Sequence, residues 1–113
     1  MGVEIQERAQ GAVTVLKPVG PLCADDADGF RSRCMEATAR TLGRLVVDAS
    51  AVPYADSRGL EVLLELSEAL GQAGQSLKLC AATETVREAL ELTELSHLAE
   101  HYEDVPSGVR SFL

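Results

Sequence analysis

The sequence predicts an α/β layer fold, a mixed sheet of roughly four to five strands packed with about four helices. Three observations carry that expectation. Short apolar or alternating runs recur between longer stretches whose apolar residues fall at helical spacing. Strand and helix signals alternate along the chain, which demands partly parallel pairing. Nothing reads as a linker, repeat or low-complexity stretch, so residues 1–113 are expected to form one domain.

Val3 to Arg8 alternates weakly and Ala12 to Leu16 more clearly, with Gln10-Gly11 between them, which reads as a β-hairpin. Val19-Gly20-Pro21-Leu22 breaks that pattern. Asp25, Asp26 and Asp28 then supply caps and first-turn acids for a helix reaching about Leu42. Ala27, Phe30, Cys34 and Ala37 share one face of it, while Arg31, Arg33, Glu36 and Arg40 are expected to face water. Gly43 ends the helix, and Leu45 to Asp48 reads as a buried strand. A second helix is expected from about Ser57 to Gln72, with Leu60, Leu63, Leu64, Ser67 and Leu70 inward and Gly71 and Gly74 closing it. Leu77 to Ala81 is the next strand. Thr83 or Thr85 begins a third helix, Thr85 and Glu88 fitting a capping box. Ala99 to Tyr102 suits a short edge strand, and Ser107 to Leu113 a final short helix.

Composition bounds the function. Hydrophobic residues make up 46% and aromatics only 4%, so the core must be built from Leu, Val and Ala. The formal charge of -8 disfavours nucleic acid and anionic membrane, both of which need basic patches, and favours a partner with a basic surface. No apolar run approaches the roughly 20 residues that span a bilayer. Cys23, Cys34 and Cys80 are an odd number without C-x-x-C spacing and no signal segment precedes them, which suits reduced thiols and a cytoplasmic location. Cys34 and Cys80 are expected in the core.

The stretch Asp56-Ser57-Arg58-Gly59 stands between the buried strand with its turn-prone exit and the Leu-rich helix. Ser57 therefore falls where backbone N–H groups lack partners and the helix dipole favours negative charge. A hydroxyl there can cap the helix, the commoner role, or carry a phosphate that the helix end accommodates. Gly59 inside the first turn costs roughly 0.5–1 kcal/mol against alanine, tolerable where something approaches the backbone closely or the helix packs tightly on its own strand. Asp56 can cap, brace the loop, or orient a proton leaving Ser57. The long cation of Arg58 can meet a phosphate, face an acidic partner or simply be solvated.

Other chemistry finds little support. Asp26-x-Asp28-Gly29 resembles part of an EF-hand loop, but the frame puts Ala24 at its first position and Met35 where a bidentate Glu is needed. His97 and His101 are expected at the surface, with no nucleophile near them in sequence. No G-x-G-x-x-G, phosphate-loop or H-E-x-x-H motif occurs. An enzyme is not expected, and neither is a cofactor or metal.

Val46-Val47-Asp48-x-Ser50-x-Val52, followed by Asp56-Ser57-x-Gly59-Leu60 opening a Leu-rich helix, resembles the STAS domains of sulphate transporters and anti-sigma factor antagonists. Val19-Gly20-x-Leu22, Ser76 to Cys80 and the run from Thr85 to Leu95 add to the resemblance, which covers essentially the whole chain. It implies a stand-alone anti-sigma factor antagonist, a monomer or weak dimer. Such a protein binds an anti-sigma factor that is also a serine kinase, is released by phosphorylation at the position of Ser57, and is reset by a serine phosphatase. Cys23, Asp25, Asp56, Ser57, Arg58 and Gly59 are then the expected partner-binding residues. Cys23 stands where many members carry an acid, and Arg58 where a small or hydroxyl residue is common. The resemblance also allows a docking subunit of a phospholipid-transport ABC complex without a phosphate cycle. A small-ligand or nucleotide sensor using the loop from Ala49 to Ser57 is a further alternative.

Overall fold

The structure, a computed structural model, describes residues 4–113. The strands are β1 (Glu4–Gln10), β2 (Val13–Val19), β3 (Leu45–Asp48), β4 (Leu77–Cys80) and β5 (Ala99–Tyr102). The helices are α1 (Ala24–Thr41), α2 (Ser57–Gln72), α3 (Glu84–Leu92) and α4 (Val105–Arg110), with a turn of 3-10 helix at Ser96–Leu98. The five strands form one sheet in chain order. β1 and β2 are the expected hairpin, antiparallel with Arg8 opposite Val15, and Gly11 takes a φ of +63° in the connecting turn. All later pairings are parallel. Val3 of the expected hairpin lies outside the described residues.

The alternation of side chains along each strand splits the core in two. On one face Leu16, Leu45, Val47, Leu77 and Leu79 meet Phe30 and Cys34 of α1, Leu63, Leu66 and Leu70 of α2, and Val86 and Leu90 of α3. On the other, Val13, Val15, Val46 and Cys80 meet Val105, Val109 and Phe112 of the C-terminal segment. Gly108 permits that second contact, because a Cβ there would lie 2.4 Å from the Cys80 sulfur. Cys34 and Cys80 are buried free thiols, as the sequence implied. Burial, and then the carboxylates of Asp48 and Asp104, push the Cys80 thiol up to about 11, so it stays neutral.

Two details differ from the sequence expectations, and a third decides between the two expected starts of α3. The last helix begins before Ser107, because the Asp104 side chain caps it by accepting from Ser107 N–H at 2.8 Å, with Pro106 in its first turn. Thr83, not Thr85, caps α3: its hydroxyl accepts from Val86 N–H at 3.4 Å and donates to Val52 C=O at 2.9 Å, tying the helix to the loop after β3. The arginines of α1 are engaged as well as wet. Arg33 and Arg40 both reach Glu7 on β1, at 3.1 and 2.9 Å, and Arg31 reaches Glu65 on α2 at 3.1 Å.

Lys78 is a buried cation in the middle of β4, 6% exposed. Its ammonium donates to Glu100 at 2.8 Å and lies 4.7 Å from the Phe112 ring centroid. Hydrogen bonds from Lys78, and next from Tyr102, hold the Glu100 carboxyl below its usual range. Asp28 is lowered chiefly by the Arg58 hydrogen bond, and Asp104 chiefly by Ser107. Carboxyls lowered in the folded state bind protons more readily when unfolded. Their contribution is complete above the unfolded values of 4.5 for Glu100 and 3.8 for the two aspartates, and is lost as pH falls through the folded ones. Urea midpoints are therefore expected to hold steady from pH 7 to about 5 and to fall below about 4. Lys78→Met with Glu100→Gln should shrink that acid slope.

Candidate functional site

Because β2 to β5 are parallel, their C-terminal ends share one edge of the sheet, and the helices that follow begin there. The loop after β3 crosses to the segment between β2 and α1. Leu22 and Ala55 form an isolated parallel bridge, Leu22 N–H donating to Tyr54 C=O at 3.0 Å and Asp56 N–H to Leu22 C=O at 3.1 Å. Two helix starts are thereby held side by side.

Asp56 is the group that joins them. Its Oδ1 accepts from Gly59 N–H at 2.8 Å, capping α2, and its Oδ2 accepts from Ala24 N–H at 3.1 Å, at the first residue of α1. Ala24 sits at a φ of +49°, a left-handed conformation uncommon for a residue with a Cβ. Cys23, half-buried, precedes α1 in extended geometry and its side chain makes no cap bond.

The expectation that Ser57 caps α2 is thus corrected. The chain enters the helix one residue earlier, with Asp56 in extended geometry and Ser57 as the first helical residue. The Ser57 side chain is exposed, and its hydroxyl makes no hydrogen bond among the described residues. Backbone N–H groups of Ser57 and Arg58 likewise find no acceptor among them, whereas Gly59 and Leu60 are satisfied by Asp56. An uncommitted hydroxyl therefore stands beside two open donors at the positive end of a 16-residue helix.

Gly59 is buried, and the reason is closer contact than helix against its own strand. A Cβ there would lie 2.2 Å from the Leu22 carbonyl oxygen and 3.0 Å from Ala55 Cβ, so the segment before α1 is what approaches it. Gly59 and the Asp56 carboxylate are hence inward members of the expected set. Ser57 and Asp25 are exposed, and Cys23 and Arg58 are half-buried.

Arg58 is neither free nor merely solvated. It pairs with Asp28 on α1 and with Glu61, and stands 3.5 Å from Glu65, which Arg31 also reaches. The Asp28 hydrogen bond raises its already high pKa further. One cation thus ties the first turns of α1 and α2 together on the flank of Ser57. Sequence reasoning did not place Asp28 and Glu61 here; the missing signal was tertiary, since Asp28 is 30 residues from Arg58. His97 and His101 are exposed, beside Arg87 and Glu91. No described helix is long and apolar enough to cross a membrane.

Comparison with known proteins bears on this geometry. No curated protein matches the chain. An anti-sigma factor antagonist from Mycobacterium paratuberculosis superposes with a TM-score of 0.84 at 22% identity, over 97% of this chain and 93% of that one. The anti-sigma factor antagonist SpoIIAA in its unphosphorylated form gives 0.78 at 15% identity over 96% of both chains. The anion transporter SLC26A9 matches at 0.72 and 18% identity, but with 89% of this chain over 19% of that one. These likenesses establish the mixed α/β fold. The model of the STAS domain matches residues 4–108, and the chain belongs to the STAS domain family.

Proposed function

We propose that this protein is an anti-sigma factor antagonist that works by partner switching, with Ser57 as the phosphoacceptor. The observation that carries the reading is the division of labour at the start of α2. Asp56 supplies the cap, leaving the adjacent Ser57 hydroxyl exposed and without an intramolecular bond. The likeness to SpoIIAA, solved in unphosphorylated and phosphorylated forms, supports it at the level of the fold.

In this reading the unmodified surface around Cys23, Asp25, Ser57 and Arg58 binds an anti-sigma factor that is also a serine kinase, and releases the sigma factor. The kinase transfers the terminal phosphoryl group of a nucleoside triphosphate to the Ser57 oxygen, breaking its bond to the departing nucleoside diphosphate, while the hydroxyl loses its proton. About 1.5 to 2 negative charges then enter the contact. The open N–H groups of Ser57 and Arg58 and the helix dipole accommodate that charge, so the fold persists. A contact shaped around the bare Ser57 hydroxyl has no room for a phosphate dianion, which would have to be desolvated beside Asp25, Asp28 and Glu61, so release follows from bulk, desolvation and repulsion from these acids. A serine phosphatase restores the binding form, and the protein itself needs no cofactor and performs no catalysis.

The test is affinity for the serine-kinase anti-sigma factor together with urea stability. Ser57→Ala is expected to bind like wild type and to unfold within about 0.5 kcal/mol of it, because no cap is lost. Ser57→Asp should keep its stability and bind at least tenfold more weakly. A folded Ser57→Asp that binds unchanged contradicts the proposal. The match to SLC26A9 supports one alternative, docking to a membrane transporter, for which binding is indifferent to Ser57→Asp.

A further inference from the structure

On the face of the sheet away from α1 and α2, the register brings charged residues of three strands together. Arg8 stands opposite Val15 and Gln6 opposite Lys17. Val15 pairs with Val46, so Lys17 and Asp48, two residues further on, also share that face on neighbouring strands. Gln6, Arg8, Val15, Lys17 and Asp48, with Glu7, line a cavity of about 210 Å³. α4 packs on this same face but over β3, β4 and β5, so the cavity opens beside β1.

The charges around it are of opposite sign and do not meet. Asp48 is 7% exposed, and its Oδ1 accepts from Ser50 N–H at 3.0 Å. Its Oδ2 has no donor among the described residues, and neither Lys17 nor Arg8 comes within ion-pair distance of a carboxylate there. Arg8 meets only the neutral side chain of Gln10, at 3.2 Å with the amide turned to present its oxygen. Glu7 does not supply the missing partner, because Arg33 and Arg40 hold its carboxylate. The unbonded Asp48 oxygen, in a residue otherwise almost buried, can accept a charge-assisted bond from a cation in the cavity, and two rim cations offer such bonds to an anion.

We propose that this cavity binds a small zwitterion of the α-amino acid class, with its ammonium donating to Asp48 Oδ2 and its carboxylate accepting from Lys17 and Arg8. A ligand with a single charge satisfies one wall and leaves the other bare. The volume admits one small amino acid and excludes a nucleotide or peptide. The site lies on the opposite face of the sheet from α2, so its test stands apart from the fate of Ser57.

The experiment is an NMR titration of the ¹⁵N-labelled protein with L-alanine, and separately with acetate and ethylammonium at matched ionic strength. L-Alanine is expected to give saturable shifts at the amides of Arg8, Val15, Lys17 and Ser50, with an affinity at least tenfold above either comparator. Asp48→Asn keeps an acceptor for Ser50 N–H, and Lys17→Met alters only a half-buried strand position; each is expected to weaken L-alanine binding at least tenfold in a folded protein. Absence of saturable shifts, equal affinity for acetate or ethylammonium, or unchanged binding in both variants overturns the proposal.

Discussion

Replacing Gly59 by alanine is expected to destabilise the protein by about 2 kcal/mol, although alanine is the better helix former by about 1 kcal/mol. Two effects compete. Gly59 has no left-handed φ to protect, so propensity alone favours alanine. Against that, the new methyl would stand 2.2 Å from the Leu22 carbonyl oxygen, and the Leu22 carbonyl carbon is 3.1 Å away. That carbonyl cannot turn aside, since it accepts from Asp56 N–H and belongs to the bridge with Ala55. The start of α2 must lift instead, breaking that bond and lengthening both Asp56 caps. Overpacking of roughly 3 kcal/mol then outweighs the propensity gain. Valine at the same place should cost more. A urea midpoint for Gly59→Ala at or above wild type would show that the contact yields easily.

Asp56→Ala is expected to cost about 2–3 kcal/mol, more than an ordinary cap at about 1. One carboxylate serves two helices, and its loss leaves the N–H groups of Gly59 and Ala24 unpaired together. Ala24 has least to fall back on, because the bond to Asp56 helps hold its φ of +49°. Asp56→Asn makes the measurement specific. Its oxygen can still cap Gly59, but its amide nitrogen cannot accept from Ala24, so a loss of about half the alanine value is expected. Equal stability of Asp56→Ala and wild type in urea contradicts the double-cap account. Hydrogen exchange should also quicken at the first turns of both helices, not at α2 alone.

Much of this architecture was legible because it is written in local pattern. The hairpin announced itself by alternation around Gln10-Gly11, and α2 by its leucines at helical spacing. The family resemblance likewise rested on a contiguous stretch, Val46 to Leu60. What escaped was what depends on distant partners. Asp56 and Ser57 are both good cap residues, and only the bond to Ala24, 32 positions away, shows why the acid takes that role. Gly59 admitted two readings, a close approach to its backbone or packing on its own strand, and only the fold shows that the segment before α1 makes the approach. Arg58 finds Asp28 across a helix pair. Lys78 did carry a faint signal, a cation amid Leu77, Leu79 and Cys80, yet its partners Glu100 and Phe112 lie far along the chain. The final helix starts earlier than expected because Asp104 caps it by accepting from Ser107 N–H.

The central claim is that the hydroxyl left uncommitted by the Asp56 cap is the one that receives phosphate. The most direct measurement is intact mass with site mapping of the protein purified from its own cells, in growth and under stress. A single phosphate on Ser57, changing in occupancy between the two conditions, is the predicted result. Unmodified Ser57 in both conditions, or a phosphate on another residue, would contradict it.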